Sequence, residues 1–147
     1  MYDPIQHAKQ AAAAAAQRFL KTFAAVPDDK LSWSPAPTAK SALQIAAHAA
    51  AVNRGLAALI AGKPYPASPQ EAPTTRAAAV KALEESAAEV QAALEGVRPD
   101  EVDTVIEAPW MKAPRVVFMN LVATHLQSHA AQIDYLQTIW GDTQFHM

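Results

Sequence analysis

The segment that decides the fold is PRVVFMNLVATHLQSHAAQIDYLQTIWG, residues 114–141. A proline opens the segment and a glycine closes it, so it predicts a single helix from Pro114 to Trp140. At about 100° per residue, one narrow sector of this helix contains Phe118, Leu121, His125, His129, Gln132 and Leu136. This sector is the side that we expect to face a core.

Three further segments of similar length precede it, separated by prolines and glycines. They predict helices over residues 4–25, 38–61 and 74–95, with Asp3 and Thr38 as N-caps and Gly96 as the stop of the third. Residues 26–37, 62–73 and 97–113 are predicted as long connecting loops. Four helices of similar length pack around one shared core, so we predict an all-α four-helix bundle and a single domain over residues 1–147.

Composition agrees with this fold and excludes several classes of protein. Alanine, the strongest helix former, supplies 35 of the 147 residues. The chain has no cysteine, which excludes disulfide scaffolds and thiolate metal sites and favours a cytoplasmic setting. A net charge of −2 with scattered basic residues predicts no binding to nucleic acid. The apolar runs are too short to predict a membrane span.

Three histidines carry the strongest functional signal. His125 and His129 are four residues apart, so both imidazoles project from one helical face and reach a single ion. His48 shares a sector of the second helix with Ile45 and Val52. A single inward histidine is best explained by a hydrogen bond in the core. Three histidines on inward faces are better explained by binding to a divalent metal ion.

Three imidazoles leave at least one coordination position open, which is typical of catalytic metal sites. There a bound water becomes acidic enough to act near neutral pH. Gln44 and Gln132 are candidates to hydrogen-bond a ligand or this water, and ordinary packing explains them equally well. His7 and His146 lie near the chain ends and are predicted as surface residues.

Two motifs in this order resemble the DinB-like family of metal-binding bundles, the damage-inducible proteins rather than the polymerases of similar label. The first is LSWSP at residues 31–35, followed by His48, and the second is HLQSHAAQI at residues 125–133. The resemblance extends from about Asp3 to Gly141. It implies an up-down bundle with one long crossover, a bound nickel, zinc or similar ion, and a homodimer.

The resemblance also implies a class of chemistry, since some members transfer or isomerise substrates with a small bacterial thiol. The sequence departs from the better-understood branches at residues 109–114, where PWMKAP replaces a glycine-bearing turn. A pocket known at this position in those branches is therefore not expected here. Four residues are candidates to line an apolar mouth beside the metal or, alternatively, to cap the core. These are Trp33, Tyr65, Trp110 and Met111.

Two functions remain open at this point. The first is a metal-dependent enzyme acting on a small molecule, by hydrolysis or by thiol transfer. In thiol transfer the thiolate comes from a cosubstrate, because the chain has no cysteine. The alternative is a non-catalytic helical binding protein, or a stress-associated dimer, whose metal is structural or vestigial.

Overall fold

The computed structural model describes residues 1–67 and 71–146. Its four helices are α1 (Pro4–Ala24), α2 (Ala42–Ile60), α3 (Arg76–Glu95) and α4 (Arg115–Ile139). A two-stranded hairpin, β1 (Val105–Ala108) and β2 (Met111–Pro114), precedes α4. The predicted four-helix, mainly helical fold is confirmed. Residues 68–70 of the predicted 62–73 loop, and Met147, lie outside the described residues.

The helix ends follow the predicted signals with one exception. The Asp3 carboxylate accepts hydrogen bonds from backbone N–H groups of the first turn of α1. Gly62 and Gly141, with φ of 75° and 95°, follow the ends of α2 and α4. The predicted cap Thr38 is wrong, because α2 begins only after Ser41. There a reciprocal pair of hydrogen bonds between Ser41 and Gln44 satisfies two free N–H groups.

The arrangement of the helices explains the long connections. The α1 helix packs against α3 and α4, and α2 packs against the same two helices. Consequently α1 lies diagonally opposite α2, and α3 lies diagonally opposite α4. The chain crosses the end of the bundle between α1 and α2, over residues 25–41, and again between α3 and α4, over residues 96–114. The bundle thus has two such crossovers, rather than the one that the family resemblance implied.

The buried side of α4 is rotated relative to the sequence prediction. Phe118, Val122, Leu126 and Ile133 are each at most 1% exposed. Leu121 and both histidines are only partly buried, and Gln132 is exposed. Phe118 and Leu136 of the predicted sector are buried, so the sector overlaps the buried stripe and its other members lie along the edge of that stripe. At this edge polar rings can pack on apolar neighbours without losing every polar partner.

The hairpin corrects the prediction that residues 97–113 form an irregular connection. Its antiparallel register pairs Val105 with Pro114 and Ala108 with Met111. Ala108 and Ala113 are buried, while the residues beside them point outward, which is the alternation of a half-buried strand pair. The hairpin satisfies backbone groups that would otherwise lie unpaired across the end of the bundle.

The α2 helix is the only described helix that is long and apolar enough to cross a membrane. More than half of its apolar window is buried inside the protein, where it contacts α3 and α4. Its apolar character is therefore accounted for by packing between helices.

Candidate metal centre

Three histidine side chains meet where α2 packs against α4. His48 projects from α2, and His125 and His129 project from consecutive turns of α4. The Nε2 atom of His125 lies 3.3 Å from Nε2 of His48 and 3.0 Å from Nε2 of His129. All three residues are partly buried. The structure thus brings together the three residues that the sequence indicated as ligands, at the edge of the core rather than inside it.

The spacing of these nitrogens fits one divalent ion. Each histidine offers a ring nitrogen within 4.8 Å of the other two. Nitrogens bound about 2.0–2.1 Å from a zinc ion in a tetrahedral site lie about 3.3–3.4 Å from one another. The separation of 3.3 Å matches this distance, and the separation of 3.0 Å is slightly shorter. In the described part of the chain no carboxylate joins the group, so the donor set is three imidazoles.

Gln132 orients one of the three rings. Its Oε1 atom lies 2.7 Å from Nδ1 of His129. An amide oxygen only accepts hydrogen bonds, so this pairing places the proton on Nδ1 and leaves the Nε2 lone pair directed at the cluster. The amide and the tautomer are assigned from this hydrogen bond. Gln132 therefore hydrogen-bonds a predicted ligand residue, while metal binding by His129 stays a prediction.

The other two rings are biased toward the neutral form. Burial, and after it the charges of His129 and His48, lower the pKa of His125 from 6.5 to about 4. Burial also lowers the pKa of His48, with smaller contributions from His129 and Lys40. A metal binds the neutral ring, so neither residue has to lose a proton near neutral pH.

The Nδ1 atom of His125 is buried and has no hydrogen-bond partner among the described residues. The polar contacts of this ring are therefore made by Nε2 alone, with the other two histidines. A half-satisfied polar group of this kind is costly in a core without a further partner. An ion bound at Nε2 would keep the proton of this ring on Nδ1, where it would still have no acceptor among the described residues.

Gln44 has a different role from Gln132. Its side-chain oxygen accepts the Ser41 N–H at 2.9 Å and so belongs to the capping box of α2. It makes no hydrogen bond to a histidine within residues 1–67 and 71–146. The Ser-x-x-Gln spacing at residues 41–44 is the sequence signal that identifies this role.

Two cavities adjoin the histidines on different sides. One, of about 600 Å³, is next to His129 and lies between α4 and the segment that precedes α2. Its lining residues are Pro35, Thr38, Ala39, Lys40, Ile45, Ser128, His129, Ala131, Gln132, Tyr135, Leu136 and Ile139. The other, of about 540 Å³, is next to His48 and includes Arg54, which pairs with Glu85 and Glu89 of α3. Sequence reasoning did not identify Lys40, which belongs to no motif.

The four residues proposed for an apolar mouth do not line either cavity. Tyr65 stacks edge-on against Trp110 at 4.9 Å, and Trp33 does so against Trp140 at 6.0 Å. Trp33, Tyr65 and Met111 pack against the core, whereas Trp110 is 51% exposed. The alternative that these residues cap the core is therefore observed for the first three and not for Trp110.

The remaining histidines lie outside the cluster. His7 is exposed on α1, as predicted. His146 is partly buried, contrary to the prediction, because its ring bonds the Asp142 carboxylate at 2.9 Å. Its carbonyl also accepts a hydrogen bond from Thr22 of α1. The C-terminal segment is therefore held against the bundle.

Comparison with known proteins gives a consistent result. The sequence model of the DinB superfamily matches residues 11–133. No curated protein matches the chain. Among solved structures, a DinB-like protein from Bacillus cereus is 16% identical, with a TM-score of 0.74 over 90% of this chain and 89% of its own.

Two other solved structures have the same fold. A conserved protein from Enterococcus faecalis is 16% identical, with a TM-score of 0.78 over 95% of this chain and 98% of its own. A DinB-like protein from Bacillus subtilis is 17% identical, with a TM-score of 0.76 over 96% of each chain. At these identities the likeness establishes the fold alone.

Proposed function

This chain belongs to the DinB superfamily, and from that premise we propose that it is a metal-dependent enzyme acting on a small molecule. The ligands of its one divalent ion are His48, His125 and His129. Nickel and zinc are the ions that we favour, because both bind imidazole nitrogen well.

One observation carries the proposal. The Nε2 atoms of three partly buried imidazoles converge between α2 and α4, at separations of 3.0 and 3.3 Å where they are closest. Without an ion, three such nitrogens have only one another as partners among the described residues. An ion satisfies all three lone pairs at once.

A divalent ion held there acts as a Lewis acid and lowers the pKa of water or of another ligand bound to it. The chain's own residues prepare the site. Gln132 holds the proton of His129 on Nδ1, so that Nε2 is free to bind. Burial keeps His48 and His125 neutral. The cavity beside His129 provides space for a substrate of modest size.

Metal titration tests the ligand set directly. We expect the metal-free protein to bind one equivalent of zinc or nickel in isothermal titration calorimetry. Replacing any one of the three histidines by alanine should weaken binding by at least about 100-fold, the upper end of what a lost outer partner costs. His7→Ala, at an exposed position on α1, is the matched control and should bind like the wild type. Equal affinities in all variants would exclude the site.

Activity assays separate hydrolysis from thiol transfer. Zinc-loaded protein is incubated with ester and electrophile substrates, with and without a low-molecular-weight bacterial thiol. Turnover that requires the thiol supports transfer, and turnover without it supports hydrolysis. Either activity should disappear in His48→Ala and persist in His7→Ala. Turnover that is unchanged in His48→Ala would refute the enzymatic proposal.

The non-catalytic alternative makes a different prediction. A structural metal raises the melting temperature without supporting any turnover. If chelation lowers the melting temperature and no substrate is consumed in any assay, the metal is structural and the enzymatic proposal is wrong. Sedimentation of the loaded protein tests the homodimer that the family resemblance implies.

A further inference from the structure

The cavity beside His129 has two chemically different sides. Ile45, Leu136 and Ile139 provide an apolar wall, and Lys40 and Thr38 provide polar groups from the segment before α2. Its volume of about 600 Å³ is that of a pocket for a small molecule. A ligand of this pocket must therefore combine an apolar part, which packs against the apolar wall, with a polar group, which forms hydrogen bonds at the other side.

The polar side of the cavity carries positive charge. Lys40 is a lining residue, and no aspartate or glutamate is among the lining residues. The nearby carboxylate of Asp134 on α4 is held at 2.8 Å by Arg18 of α1. Lys40 makes no ion pair within the described ranges 1–67 and 71–146.

The backbone that carries Lys40 is held on both sides. Before it, the Ser34 hydroxyl lies 2.6 Å from the carbonyl oxygens of both Ala36 and Ala39. After it, Ser41 is fixed in the capping box of α2. The lysine side chain is thus presented from an ordered turn, which lowers the entropic cost of contacting a ligand.

The rim of the same cavity exposes apolar surface. Tyr135 is 69% exposed and Ile139 is 46% exposed, although both are large apolar or aromatic residues. Exposed apolar groups beside a pocket often mark the area that a ligand covers.

From these features we propose that the cavity binds a small carboxylate with an apolar body. The carboxylate pairs with Lys40, and the apolar body packs against Ile45, Leu136 and Ile139. The inference rests on the proposed function, because it names the substrate class of the same site. A cation at the histidine cluster adds a second positive charge next to the cavity, which further favours an anion over a neutral molecule.

Two probes with the same apolar body test the proposal: phenylbutyrate, which is an anion, and phenylbutanol, which is neutral. Binding is measured by calorimetry on metal-free protein and again on zinc-loaded protein. We expect the metal-free wild type to prefer phenylbutyrate by about fivefold, the size of a partly exposed ion pair. Zinc should increase this preference.

Lys40→Gln should bind the two probes equally and should keep the wild-type melting temperature. Lys21→Gln, at an exposed lysine on α1 outside the cavity lining, should keep the preference. Ile139→Ser should weaken the binding of both probes alike, because it removes apolar surface from the cavity wall at a 46% exposed position without changing charge.

The failure of this inference is distinguishable from failure of the metal proposal. If zinc binds to the histidines but the wild type shows no preference for phenylbutyrate, or binds neither probe, the carboxylate inference is overturned. The same holds if Lys40→Gln keeps the preference. If no zinc binds but the preference exists and is lost in Lys40→Gln, the metal proposal fails and the carboxylate site stands.

Discussion

The histidine cluster should make the metal-free protein sensitive to mild acid. The pKa of His125 is about 4 in the folded protein, against an ordinary value of 6.5. Between these two values the unfolded chain binds more protons than the folded one. The stability that depends on the neutral ring is therefore complete above pH 6.5 and is lost as the pH falls from 6.5 toward 4.

The size of the effect follows from the same two pKa values. Linkage gives a loss of about 2 kcal/mol in the free energy of unfolding when the pH falls from about 7.5 to about 5. The ring is partly exposed, so solvent screening reduces this figure, and we expect about 1 kcal/mol from His125. His48 contributes a loss in the same direction, because its pKa is lowered as well.

Urea unfolding in the presence of a chelator measures this loss at both pH values. His125→Gln keeps a polar side chain of similar reach but cannot titrate. We expect the wild type to lose about 1 kcal/mol more than His125→Gln between the two conditions. His7→Gln, at an exposed position, is the control and should lose as much as the wild type. If His125→Gln loses as much as the wild type, the ring is not desolvated and the reasoning is wrong.

Three further predictions concern the residues that support the site and the fold. Gln132→Ala should lower zinc affinity by about 10–100-fold in calorimetric titration, because His129 loses its orienting partner; an unchanged affinity would contradict that role. Gly55→Ala should destabilise the protein by about 1–3 kcal/mol in urea, since a Cβ there overlaps the Tyr65 ring, whereas Gly96→Ala has room and should cost less. Ser41→Ala should cost about 1 kcal/mol by removing the cap of α2, and equal stability to the wild type would refute the capping role.

The helices and their ends were largely predictable from local sequence. Propensity, capping residues and terminating glycines act within a few residues, so α1, α3 and α4 begin and end within two residues of their predicted limits. The error at Thr38 has a local cause too, because the Ser-x-x-Gln capping box at residues 41–44 stabilises a helix start at Ser41 instead. The hairpin was missed because its two four-residue strands are too short for a periodic signal.

The histidine group shows where local reasoning ends. Helical phase alone put His125 and His129 on one face, since the backbone repeats every 3.6 residues. It did not determine that α2 packs beside α4, which brings His48 to within 3.3 Å of His125. The family resemblance supplied that pairing beforehand.

What the sequence by itself determined was therefore the set of helices, their caps and the spacing of two of the three candidate ligands. The tertiary structure alone decided that these ligands lie at the edge of the core. It alone also decided that Lys40 lies beside a cavity next to His129. The physical reason is the separation along the chain between the residues that interact. Hydrogen bonds within a turn depend on neighbouring residues, whereas burial, cavities and electric fields depend on residues that are far apart in the sequence.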